Sequence, residues 1–156
     1  MNQQPVDPIA LVQDVISRPR GRACVVLTRD YQGQRSWAET LAVRTGAKNL
    51  DLQSQFLADD ELAGRLDTFT VAELFSLLRK HGDCTALIVS GLEFLTATWA
   101  GLTKSGEEFA RRVETWDAKP ALVFVLQHDP ELAAYKFTRY PQHVFVVEQE
   151  NTLALT

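Results

Sequence analysis

A chain of 156 residues with 46% apolar and 23% charged side chains has the size of one ordinary domain and is neither disordered nor fibrous. A formal net charge of −4 argues against a general basic surface for nucleic acid or anionic lipid. Cys24 and Cys84 lie far apart and outside any CxxC pair, which excludes a disulfide framework and a cysteine-based zinc site and suits a reducing compartment.

Residues 7–16 form an amphipathic helical stretch with Ile9, Val12 and Ile16 on one side, ending before Arg18-Pro19. A basic cluster, Arg18, Arg20 and Arg22, then leads into the first strand candidate, ACVVLT over 23–28. After a connection at 29–36, Ser36-Trp-Ala-Glu39 has the spacing of a capping box, and Gly46 suits the end of the helix it opens. The second strand candidate, 48–52, is polar enough to belong at a sheet edge. Residues 51–69 read as a short helix with loops. Thr70-Val-Ala-Glu73 is a second capping box, followed by Leu74, Phe75, Leu77 and Leu78 at helical spacing and by Gly82 as a C′ residue. The third strand candidate spans 85–90. Ser105-Gly-Glu-Glu108 opens a further helix carrying Phe109, Val113 and Trp116, and Trp99 reads either as core or as an anchor for a partner. Strand candidates at 121–126 and 143–148 follow, with Pro130 at the first position of an intervening helix.

Three of these strands are uninterrupted apolar runs, the pattern of strands buried on both faces. Their alternation with helices predicts an α/β fold: a five-stranded, mainly parallel sheet with helices on both faces, in one domain over 1–156 that includes an N-terminal helix and arm at 1–20. The opening residues lack the basic-then-apolar order of a signal peptide, and no apolar run approaches the roughly 18 residues of a membrane span, so a cytoplasmic protein without a membrane partner is expected.

Ligands of such sheets bind beyond the carboxyl ends of the strands. The connection after the first strand occupies the place of a phosphate-binding loop, GxxxxGK[ST], in which glycines let amides approach phosphate, Lys neutralises charge and Ser/Thr holds Mg²⁺. Here Arg29 and Gln34 stand at the glycine positions, Arg35 at the lysine and Ser36 at the hydroxyl, with Asp30 between and Gly33 one place early. Arg is a poor substitute for a compact ammonium in such a loop. Ser36 also has a simpler role as a helix cap. A helix N-terminus flanked by Arg29 and Arg35 would still suit an anion. The third strand ends in Ser90 where a metal-holding Asp is needed, and the first acid after it is Glu93. Gln127 and His128 follow the fourth strand, at a sensor position or at the start of a turn. His81, His128 and His143 have no metal-ligand spacing, so no metal is expected.

With these positions, and the tail Tyr135-Lys-Phe-Thr-Arg-Tyr-Pro141, the chain resembles a degenerate P-loop NTPase domain, and most of all the BrxF family, the small P-loop proteins of type 3 BREX phage-defence systems. The matching positions are Arg35, Ser36, Glu93 and Arg139-Tyr140; the departures are Arg29, Gln34, Arg35 and Ser90. The resemblance implies a cytoplasmic, non-catalytic binding or scaffolding subunit of a prokaryotic antiviral complex, whose partners are larger protein subunits and for which no cofactor is expected. The alternative it leaves is a nucleotide-binding protein or weak ATPase, active as a homo-oligomer with ATP and Mg²⁺, in which Arg35 contacts phosphate and Glu93 orients water. A third reading is a nucleic-acid-binding accessory module, with DNA as a candidate partner, that uses Arg18, Arg20 and Arg22 on the carboxyl rim of the sheet.

Overall fold

The computed structural model of the protein describes residues 4–29, 33–99 and 104–155. Five strands, β1 (Ala23–Thr28), β2 (Lys48–Asp51), β3 (Ala86–Ser90), β4 (Ala121–Gln127) and β5 (Val146–Glu148), form one sheet in the order β2-β3-β4-β1-β5. Every pairing is parallel. β2 and β5 are the edges, as the polarity of β2 predicts. Registers such as Thr28 opposite Gln127 and Asp51 opposite Ser90 align the carboxyl ends of the strands.

Alternate residues of each strand feed two separate cores. Cys24 and Val26, Ile88, and Val123 and Val125 face a layer made by α1 (Pro8–Ser17) and α2 (Gln34–Thr45). Val25 and Leu27, Leu87 and Val89, and Leu122, Phe124 and Leu126 face the larger layer. That layer holds α3 (Leu52–Ala58), α4 (Asp60–Gly64), α5 (Val71–Arg79), α6 (Glu93–Trp99), α7 (Ser105–Thr115) and α8 (Pro130–Ala134). A side chain of this kind fully removed from water contributes about 1.5–3 kcal/mol, whereas an exposed ion pair such as Arg112–Glu108 contributes about 0–1 kcal/mol. The doubly covered sheet therefore dominates the stability. No helix among the described residues is long and apolar enough to cross a membrane.

The helix starts depart from the sequence pattern in two places. Thr70 caps α5 as expected, its hydroxyl accepting from the Glu73 N–H at 3.1 Å, while the Glu73 carboxylate pairs with Arg65. Ser36 caps nothing. α2 begins three residues earlier than a Ser36 cap requires, at Gln34, behind Gly33 in a left-handed conformation (φ +83°), so Ser36 is the third helical residue. Ser105 is likewise inside α7, and its hydroxyl donates to the Trp99 carbonyl at 3.0 Å. Gly46 does close α2 with φ +70°, but Gly82 is not left-handed, and the α5 terminus at Lys80 is satisfied by ordinary turn bonds to Leu77 and Leu78.

Helix α6 has no counterpart among the expected elements. It buries Leu95 and Trp99, and the Trp99 indole N–H donates to the Phe69 carbonyl at 2.7 Å. Trp99 is core and presents no exposed anchor. The basic cluster is also relocated. It precedes β1, so in a parallel sheet it lies at the amino end, opposite the carboxyl rim. Arg18 is buried, bonded to Asp14 and to the carbonyls of Gly21 and Val144, and Arg22 holds the carbonyls of Ala118 and Ile16. Of the three, Arg20 is exposed.

Candidate functional site at the carboxyl ends of the strands

The centre of the site is a side chain that sequence reasoning treated as a missing glycine. Gln34, the first residue of α2, is 3% exposed and turns its carboxamide inward across the ends of β1 and β3. Its Nε2 donates to Thr28 Oγ1 at 3.2 Å and to Glu93 Oε2 at 2.9 Å, and its Oε1 accepts from the Gly91 N–H at 3.4 Å. The same Glu93 Oε2 accepts from the Gln127 N–H at 2.8 Å. One amide and one carboxylate thus tie the ends of β1, β3 and β4 to the starts of α2 and α6.

Local sequence explains each position. Gly33 supplies the left-handed residue that lets the helix open with Gln34 pointing in. Gly91 has φ +71°, and a Cβ there would collide with the Asp51 carboxylate, so the chain can turn out of β3 close to β2 only with glycine. Thr28 and Ser90 end their strands on the face covered by α2, since they continue the alternation of Cys24 and Val26 and of Ile88. Ser90 Oγ and Glu93 Oε1 are both buried and have no hydrogen-bond partner among the described residues.

The cations stand outside this network. Arg35 pairs with Asp51 and donates to Ser54 Oγ at 3.0 Å, while the Ser54 hydroxyl donates to Asp51 Oδ2 at 3.1 Å. Asp51 in turn caps α3. Arg29 is exposed at the end of β1 and lines a groove of about 310 Å³ with His128, Glu148 and Glu150. It does not stand with Arg35 as a pair flanking α2. Gln127 enters the network through its backbone N–H, and its side chain is exposed. Asp30 lies outside the described residues.

Chemically, the network presents one carboxylate, one amide and one hydroxyl, with no arginine or lysine of the described residues bonded into it. A phosphate at this place would have to displace the Gln34 carboxamide and approach the Glu93 carboxylate, a like-charge contact in a partly buried setting. No group of three or more His, Cys, Asp or Glu among the described residues is arranged to hold a metal ion. Thr28, Asp51, Ser54 and Gly91 belong to the site without any motif to announce them; the signal present in the sequence is the glycine directly after a strand at Gly91.

The tail that carries Arg139 and Tyr140 is an aromatic cluster at the other end of the sheet's larger layer. Phe137 stacks on Phe145 with ring centroids 5.0 Å apart, Tyr140 lies beside Phe145, and the Arg139 N–H donates to the buried Glu114 carboxylate at 3.0 Å. Compared with family models and with curated proteins, the chain matches none.

Proposed function

We propose that this chain is a P-loop-like domain that does not turn over nucleotide and that serves as a binding or scaffolding subunit of a larger protein assembly. The resemblance to the small P-loop proteins of phage-defence systems makes an antiviral complex the setting of choice. The observation that carries the reading is the inward Gln34 carboxamide, bonded to Thr28, Gly91 and Glu93 where a phosphate cradle requires bare backbone. The engagement of Arg35 with Asp51 and Ser54 supports it as well, because that guanidinium would have to break both contacts to reach a phosphate.

Thermal melting with and without millimolar MgATP tests the reading. No shift is expected. Nucleotide present at about a hundred times its Kd would stabilise the fold by about 2.7 kcal/mol, several degrees for a domain of this size. A shift of that size, abolished in Arg35→Ala, overturns the proposal in favour of a nucleotide-binding protein with Arg35 on phosphate and Glu93 beside the attacking water.

A further inference from the structure

Between α6, α7 and α8, beyond the carboxyl end of β4, lies a cavity of about 630 Å³. Its apolar part is built from Trp99, Phe109, Leu126 and Leu132, all buried. Its polar lining residues include Glu93, Asp129 and Glu131. No lysine or arginine among the described residues lines it, and His128, which does, is bonded to Glu148 at 3.1 Å.

Asp129 and Glu93 are held by hydrogen bonds, while Glu131 is exposed. Asp129 Oδ1 accepts from the N–H groups of Glu131 and Leu132 at 2.9 and 3.3 Å and so opens α8. The Glu131 carboxylate lies against Gly106 in the first turn of α7, where any Cβ would collide with it. Glu93 is fixed through one oxygen, while the other is buried with no hydrogen-bond partner among the described residues.

Asp129 and Glu131 beside an apolar floor, with no lysine or arginine of the described residues to offset them, call for a positive head on an apolar stem. The volume falls in the range of about 300–1,000 Å³ that accommodates small ligands, which is more than one long side chain requires. We propose that this cavity receives a lysine or arginine side chain of a partner protein, the stem lying along the apolar residues and the head beside Asp129 and Glu131. Long basic side chains bury their methylenes in this way while keeping the charge paired. That the occupant belongs to another polypeptide rests on the binding-subunit reading above.

The experiment is an NMR titration of the full chain, following the backbone amides of Gln127, His128, Asp129 and Leu132. The probes are N-acetyl-arginine amide, its neutral counterpart N-acetyl-norleucine amide, and N-butylguanidine, which has the singly charged head and stem without the peptide groups. The arginine amide is expected to give saturable shifts at these residues at millimolar concentration. Binding should weaken by roughly fivefold in the Asp129→Asn, Glu131→Gln double variant, the scale of losing partly exposed charge pairs. Asn caps a helix about as well as Asp, so the melting temperature should hold. In the unaltered chain, added salt should weaken the arginine amide and leave the norleucine amide unchanged. Equal binding of the two amides, a flat salt response, shifts that map elsewhere, or no saturation overturns the cavity assignment. N-butylguanidine binding about tenfold tighter than the amide overturns the partner-protein source. A melting shift with MgATP that Arg35→Ala abolishes would instead overturn the binding-subunit reading in favour of a nucleotide-binding protein and leave the cavity's preference for cations standing.

Discussion

Gln34 shows how one side chain can decide what a strand end does. Its amide meets an acceptor carboxylate, an acceptor hydroxyl and a donor N–H at once, which a glycine or a lysine at the same position does not. Gln34→Ala removes all three bonds and leaves Glu93 with fewer donors, so unfolding in urea should register a loss of about 2 kcal/mol. Gln34→Glu separates packing from polarity. It keeps the shape but sets a second carboxylate against Glu93, and like charges disfavour joint ionisation. Its deficit should be large at neutral pH and shrink as pH falls through the carboxylate range, when the pair can share a proton. An Ala variant as stable as the parent, or a Glu variant whose deficit ignores pH, would remove Gln34 from the centre of the site. Arg18 makes the complementary point: its residue type suggests a nucleic-acid contact, yet its bonds to Asp14, Gly21 and Val144 make it an internal brace.

At the scale of elements, three S/T-x-x-E patterns behave in two ways. A cap works only if its own residue is extended, so that the side chain can turn back onto the N3 amide. Thr70 has φ −98° and ψ 167° and meets that condition. Ser36 and Ser105 are already helical, because Gly33 and Lys104, both left-handed, open α2 and α7 ahead of them. Thr70→Ala should therefore cost about 1 kcal/mol in chemical unfolding, with Thr70→Ser largely restoring it. Ser36→Ala should stay within about 0.5 kcal/mol. Equal costs at the two positions would contradict the helix starts described here. The turn into α6 belongs to the same scale: Gly91 allows β3 to end against Asp51, and Glu93 then enters the network from the first turn of the new helix.

At the scale of the whole molecule, the two-sided cover of the sheet governs its chemistry toward solvent. Cys24 is the second residue of β1, packed with the core under α1 and α2, and burial pushes its thiol from 9.0 up to about 12, with Arg18 opposing. Because the folded value is raised above the unfolded one, this group's contribution is fully present below pH 9 and is lost as pH rises toward 12. Urea unfolding at successively higher pH should show an alkaline decline that is shallower in Cys24→Ala; identical slopes would refute the burial argument. The same cover should make Cys24 react with thiol reagents only as fast as the protein opens, well behind the half-exposed Cys84, whose own thiol is also raised by burial.

The apolar strand runs, the turn residues and the alternation with helices were sufficient for the α/β class, the number of strands, their parallel sense and the edge position of β2. These properties follow from local patterns, because a strand buried on both faces must be apolar throughout and parallel strands need crossovers. The same local reading had no means of finding α6, where Gly91 and an acid at the helix start replace the usual Ser or Thr cap, or of telling a capping serine from one inside a helix. What only the tertiary structure decided is the character of the strand ends. Gln34, Thr28 and the pair Gly91 and Glu93 come together from three chain segments, and hydrogen bonds between them depend on sheet order and register, not on spacing. A glutamine in place of a glycine reads in sequence as an absence; in three dimensions its amide is the group that fills the site.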